Sequence, residues 1–146
     1  MKVFLDTSVL FAAVLSETGG ARLILKLGEA GALSLWVGPW VLKEAEAVLD
    51  RKSPSSKGHF ALLLNRAKVN TGKKPAQKQL NQALKAIDYL PDAQVIAEAI
   101  AIEADYLVSL DRKHILSSAH IKKLPFPAGT PGDFLEWYKE KLMQER

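Results

Sequence analysis

Pro91-Asp92-Ala93-Gln94-Val95-Ile96-Ala97-Glu98-Ala99-Ile100-Ala101-Ile102-Glu103-Ala104-Asp105-Tyr106-Leu107-Val108-Ser109-Leu110-Asp111 is the stretch on which the fold turns. Ala93, Ile96, Ala97, Ile100, Ala101 and Ala104 recur at helical spacing, and Pro91 suits a first helical turn, where its missing N–H costs nothing. Asp105-Tyr106 then leads into the apolar run 107–110, which reads as a buried strand and stops at Asp111. The same ending occurs at the N-terminus, where residues 2–5 read as a short buried strand closed by Asp6.

Outward from these two strands, the chain alternates strand and helix. Residues 8–15 look helical and are interrupted by Glu17-Thr18-Gly19-Gly20. Residues 21–30 form a helix with Leu23, Ile24 and Leu27 on one face, and 33–37 a strand. A helix starts at Pro39 and runs to about Leu49, carrying Glu44. Residues 53–58 read as a polar loop, 59–69 as a helix, 70–75 as a turn and 76–87 as another helix. Residues 124–126 are the candidate edge strand, limited by Pro125 and Pro127. Thr130, Pro131 and Asp133 mark the start of a last helix over about 130–145. The expected architecture is a single α/β domain over 1–146, three-layer α/β/α with a mostly parallel central sheet, whose middle section, about 51–88, is helical and basic.

Ligands of such sheets bind beyond the carboxyl ends of the strands. Asp6 and Asp111 fall at those ends, and Glu44 and Asp92 lie early in helices, so four carboxylates are placed to converge at one edge. Converging carboxylates repel unless positive charge compensates them, and oxygen-only clusters suit Mg²⁺ or Mn²⁺. Each acid alone has a plainer role. Asp6 could cap the helix that follows, Asp92 could be a first-turn acid favoured by the helix dipole, Glu44 a surface residue and Asp111 a turn former. Only their joint placement points to metal-dependent phosphodiester chemistry.

The composition, 48% hydrophobic and 25% charged, is that of an ordinary globular domain. Without cysteine, disulfides, zinc–thiolate sites and thiol catalysis are excluded. His59, His114 and His120 show no spacing of the H-E-x-x-H type. The apolar run 9–15 behind Lys2 invites a signal-peptide reading, but Asp6 interrupts it and no small-x-small cleavage site closely follows. No run approaches the roughly 18 apolar residues of a membrane span, so no membrane association and a cytoplasmic location are expected. The net charge of +4 is unevenly spread, because residues 51–87 carry nine Lys and Arg and no acid. Such a segment is either a solvated helical face or a binding surface for a polyanion.

These motifs resemble the PIN-domain nucleases, especially the VapC-like toxins of toxin–antitoxin pairs. Phe4-Leu5-Asp6-Thr7-Ser8 looks like the family's first motif and Glu44, in the helix after the second strand, like its second. Pro91 to Ala97 followed by Ala104 to Asp111 is similar to the third and fourth, so the resemblance spans residues 1–126, with 51–88 matching nothing specific. It implies a ribonuclease dependent on Mg²⁺ or Mn²⁺, with Asp6, Glu44, Asp92 and Asp111 as catalytic, metal-binding acids and the hydroxyls of Thr7, Ser8 and Ser109 supporting them. Many relatives carry a further acid beside the third or fourth position. Here Pro91 and Ala93 flank Asp92, and Arg112 and Lys113 follow Asp111, leaving open whether one ion or two is held. The implied reaction is attack by activated water, leaving 5′-phosphate and 3′-hydroxyl ends.

Implied partners are RNA, single-stranded or structured such as a tRNA, a cognate antitoxin protein and a second copy of the chain. The run 9–15 and the helix 59–69 are the candidate homodimer seam. Arg112, Lys113 and His114 stand at the rim of the expected cleft, and Lys73 and Lys74 are further candidates for RNA phosphates. Trp36, Trp40, Trp137 and Tyr138 serve either base stacking or packing. Two other readings compete: a catalytically weak RNA-binding or regulatory module, and an aspartyl-phosphate phosphatase or receiver domain. The phosphatase pattern wants an acid two residues after the nucleophile, where this chain has Ser8.

Overall fold

A computed structural model describes residues 1–145. Its order is β1 (Lys2–Leu5), α1 (Thr7–Leu15), α2 (Gly20–Glu29), β2 (Ser34–Val37), α3 (Pro39–Lys52), a single 3₁₀ turn (Pro54–Ser56), α4 (Lys57–Arg66), β3 (Asn70–Thr71), α5 (Gln77–Ala86), α6 (Leu90–Ala101), β4 (Tyr106–Val108), α7 (Ser118–Ile121), β5 (Ala128–Gly129) and α8 (Pro131–Gln144). The five strands form one sheet in the order β3-β2-β1-β4-β5, with every neighbouring pair parallel. The expected α/β class with a parallel sheet is what forms, wholly parallel rather than mostly so.

The strand order explains where a site can be. The chain moves outward from β1 to β2 to β3, then crosses back over β1 to β4 and β5. Right-handed crossovers put the helices of the outward and return paths on opposite faces, so a crevice opens at the carboxyl ends of β1 and β4. Asp6 directly follows β1, and Asp111 lies just past β4. Both strands are covered on both faces, which is why they read as continuous apolar runs. Phe4, Leu5, Leu107 and Val108 are wholly buried, with Leu35 beside them on β2.

One buried acid ties together two of the helices that matter. Gly38 precedes α3 and offers no side chain to cap it, and Pro39 has no N–H. Glu98, on α6 and 2% exposed, takes that place. Its carboxylate accepts from Trp40 N at 2.7 Å and Val41 N at 3.1 Å, two donors that a helix start otherwise leaves unpaired. A Cβ at residue 38 would overlap this carboxyl, so glycine is what permits the approach. Burial pushes the Glu98 carboxyl up, and the two backbone donors pull it back.

Several expectations are corrected. The edge strand is not 124–126 but β5, whose Ala128 and Gly129 pair with Leu107 and Val108. Pro125 and Pro127 lack N–H donors, and the ladder instead begins with Leu107 N donating to Pro127 O at 3.0 Å. Asn70 and Thr71, expected in a turn, form β3 against Trp36 and Val37. The 53–58 loop contains the 3₁₀ turn and the start of α4. In the run 9–15, Val9, Leu10, Ala13 and Val14 are buried within the chain, while Leu15 is exposed. Phe60, Leu63 and Ala67 of the 59–69 segment are buried too. Thr130 does cap the last helix, with reciprocal bonds to Asp133 at 3.0 and 3.2 Å. Among the described residues no single helix is long and apolar enough to cross a membrane.

Replacing Glu98 by Ala strands two buried N–H groups, so Glu98→Ala should lower unfolding stability by about 2–4 kcal/mol. Glu98→Gln, which keeps one acceptor, should lose about half as much. Urea denaturation of the three proteins checks both values.

Candidate active site

Helical arithmetic builds the walls of the cleft at the β1/β4 switch point. Helix α3 presents Glu44, Val48 and Lys52, one turn apart each time. Helix α1 presents Thr7, Ser8 and Phe11, and α6 presents Asp92 and Val95 behind Pro91. Asp6 and Asp111 come from the strand ends. The cleft has a volume of about 330 Å³ and is lined by both the acids and the apolar side chains of Phe11, Val48 and Val95. The four acids expected from the sequence therefore line one space.

Asp6 is the most constrained of them, at 5% exposure. Its Oδ1 accepts from Thr7 N at 2.7 Å, and its Oδ2 from Ser109 Oγ at 2.7 Å and Ser8 Oγ at 3.1 Å. Each serine is also held from behind. Ser8 Oγ accepts from Leu110 N at 3.1 Å, and Ser109 Oγ from Asp111 N at 3.0 Å. The Asp6 carboxyl is pushed up to about 6, because burial outweighs these three donors and Glu44 adds repulsion. Thr7 contributes its N–H to Asp6, while its hydroxyl donates to Val41 O at 3.5 Å and ties α1 to α3.

Asp92 sits in the first turn of α6, and its Oδ2 is buried with no hydrogen-bond partner. Burial raises its carboxyl, with repulsion from Asp111 and Glu44 adding to the shift and His114 and His120 opposing it. Asp111 is partly buried and turns the chain, its Oδ1 accepting from His114 N at 3.0 Å and facing His114 Nδ1 at 3.2 Å. Asp92, Asp111 and His114 each offer a ligand atom within 4.8 Å of the others. An orphaned buried carboxylate oxygen among carboxylates is what a divalent cation fits, so the donor set suits one.

The basic candidates fall elsewhere. Arg112, Lys113, Lys73 and Lys74 are exposed and do not line the cleft. The hydrogen bonds from Thr130 hold the Asp133 carboxyl below its usual range, and Arg112 adds a smaller pull in the same direction. The cation that does line the cleft is Lys52, whose Nζ stands 5.7 Å from the centre of the Phe11 ring. Sequence reasoning missed Lys52 as a cleft residue, although its spacing of eight from Glu44 puts it on the same helix face, and missed the Asp111–His114 pairing that their spacing of three allows. Trp137 and Tyr138 pack with Tyr106 and Phe134. Trp36 bonds Ser34 Oγ at 2.8 Å, and Trp40 lines a second pocket beside Glu44.

Comparison with known proteins places the fold. The PIN domain family model matches residues 2–113. The crystal structure of VapBC2 from Rickettsia felis, bound to a DNA fragment from their promoter, superposes with a TM-score of 0.68 at 16% identity, covering 88% of this chain and 97% of that one. VapC20 of Mycobacterium tuberculosis, a sarcin–ricin loop cleaving toxin, superposes with a TM-score of 0.54 at 18% identity, covering 76% and 91%. At such identity the likeness is one of fold. No curated protein matches by sequence.

The raised Asp6 carboxyl makes a prediction for metal-free protein. Its neutral form is favoured by folding, so its contribution is fully present below pH 3.8 and is lost as pH rises through about 6. Unfolding stability in EDTA should therefore lose about 3 kcal/mol from this residue between pH 4 and 7. Asp6→Asn should abolish that part of the slope, as denaturation at a series of pH values would show.

Proposed function

Since the chain belongs to the PIN domain family, we propose that it is a divalent-metal-dependent endoribonuclease, the toxin of a toxin–antitoxin pair. The observation that carries this reading is the convergence of Asp6, Glu44, Asp92 and Asp111 on one cleft, with Asp92 Oδ2 buried and unpartnered. Four carboxylates confined this closely are stable only with added positive charge. Asp92, Asp111, Asp6 and Glu44 would hold Mg²⁺ or Mn²⁺, which when bound supplies an activated water and stabilises charge on the phosphate.

The chain's own residues do the positioning. Asp6 cannot rotate, because three donors fix its two oxygens. Ser8 and Ser109 transmit the position of the β4 end to it, so Asp6 and Asp111 keep a constant separation. Glu98 holds the start of α3 against α6, and with it Glu44 relative to Asp92. Phe11, Val48 and Val95 form an apolar wall against which a base or ribose can lie, and Lys52 is placed for the next phosphate. Arg112, Lys113, Lys73 and Lys74 extend the phosphate contacts outside the cleft. Single-stranded RNA, or a structured RNA presenting an unpaired loop such as a tRNA, fits an open cleft of this kind. The pairing with an antitoxin rests on the shared fold with VapBC2, and the RNA target on the shared fold with the sarcin–ricin loop cleaving toxin.

Purified protein should cut defined single-stranded RNAs with Mg²⁺ or Mn²⁺ and not with EDTA, leaving 5′-phosphate ends. Asp6→Asn and Asp92→Asn should each slow cutting by more than about 100-fold. End-group analysis showing 2′,3′-cyclic phosphate, or cutting that survives both variants, would overturn the proposal.

A further inference from the structure

Among the described residues, the one set of three close metal-ligand donors is not composed of acids alone. Asp92, Asp111 and His114 present ligand atoms within 4.8 Å of one another. We infer that His114 is a direct nitrogen ligand of the cation in this cleft, and that the site consequently favours a transition metal such as Mn²⁺ over Mg²⁺. The inference rests on reading the cleft as a divalent-cation site and adds to it the donor that decides which cation.

The imidazole is held ready for this role. It lies three residues after Asp111, and its backbone N–H is anchored on Asp111 Oδ1 at 3.0 Å. The turn itself is fixed by Leu116 N on Asp111 O at 2.9 Å and by His120 Nδ1 against His114 O at 2.7 Å. His114 Nδ1 stands 3.2 Å from Asp111 Oδ1, so the ring is already beside a carboxylate of the site. Like Arg112 and Lys113, His114 is exposed and is not part of the cleft lining. Of these three it is the one whose donor atom falls within 4.8 Å of those of Asp92 and Asp111.

Donor chemistry gives the consequence. Mg²⁺ demands oxygen ligands and near-ideal octahedral geometry, and dehydrates reluctantly. Imidazole suits Zn²⁺, Fe²⁺ and Ni²⁺ best, while Mn²⁺ shares the carboxylate preference of Mg²⁺ but, as a transition ion, accepts a nitrogen donor more readily. Replacing one oxygen donor by nitrogen penalises Mg²⁺ more than Mn²⁺. The alternative role for His114 is to orient Asp111 without touching the ion, as partners of ligating carboxylates do. The two roles differ in whether nitrogen is bonded to the metal, which is a spectroscopic question.

The test loads the metal-free full chain with Mn²⁺ alone and records electron spin echo envelope modulation beside a binding titration. Wild type should show ¹⁴N coupling of a directly bound imidazole. His114→Ala should lose that coupling and bind Mn²⁺ about 10-fold more weakly or worse, while Mg²⁺ binding measured by competition changes less. His120→Ala should retain the coupling. Binding that depends on Asp92 (lost in Asp92→Asn) but shows no ¹⁴N coupling in wild type would overturn the ligand assignment and leave the metal site standing. So would a ¹⁴N signal that survives His114→Ala and disappears in His120→Ala. Failure of wild type to bind Mn²⁺ at all would overturn the metal site and the ligand together.

Discussion

Everything at this site depends on one buried carboxylate and what holds it. Asp6 ends β1 inside the crevice, almost out of water, where a charge is costly. Three hydrogen bonds reduce that cost without cancelling it, which is why the carboxyl is pushed up to about 6. The two serines that contact it each accept a backbone N–H from the segment after β4, so both hydroxyls donate and accept at once. Two adjacent parallel strands are thereby joined beyond the end of their own ladder. The penalty that Asp6 carries in the metal-free protein is the same quantity a cation would remove on binding, and ligand deprotonation would make that binding stronger as pH rises.

The rest of the fold is arranged so that this penalty is tolerable. Both central strands are packed on both faces, and the helices carrying Glu44 and Asp92 are locked at the Glu98 contact. Glu98 is buried for a reason distinct from that of the four acids. It serves two orphan helix donors, and its partner is backbone rather than ion. The domain therefore contains a buried acid satisfied by the N–H groups of a helix start and a half-buried one, Asp92, whose shielded Oδ2 is left with nothing. That difference separates an architectural carboxylate from one available to a ligand.

The alternation of strands and helices, the two strand-end acids and the capping of α8 were legible in the sequence because each has a local cause: an apolar run, a proline at a first turn, a Thr-Pro-x-Asp start. What was not legible depends on neighbours distant in the chain. β3 is two residues long and exists only because Trp36 and Val37 offer an edge. β5 uses the carbonyl of Pro127, so a sequence argument that demoted the prolines moved the strand to the wrong side of them. Glu98 looks like a polar interruption in an apolar helix until Gly38 is brought against it. The four acids could be placed at one edge from topology, but that Asp6 is fully bonded and Asp92 is not could only come from packing.

The charge pattern joins the site to its surroundings. Of the nine cations in residues 51–87, Lys57 alone is paired with a carboxylate among the described residues, to Asp50 at 2.8 Å. The others are spread over the end of α3, the end of α4, the segments flanking β3 and α5, and keep their charge free for a polyanion. An acidic cleft on its own would repel the phosphate it is proposed to cut, since like charges at a few ångströms cost several kcal/mol at an effective dielectric of about 20. Flanking cations offset this at long range by drawing the strand towards the surface. Close to the acids, only a bound cation can reverse the local sign. Lys52, on the same helix face as Glu44, lies between the two regimes, where the basic segment reaches the cleft lining beside Phe11.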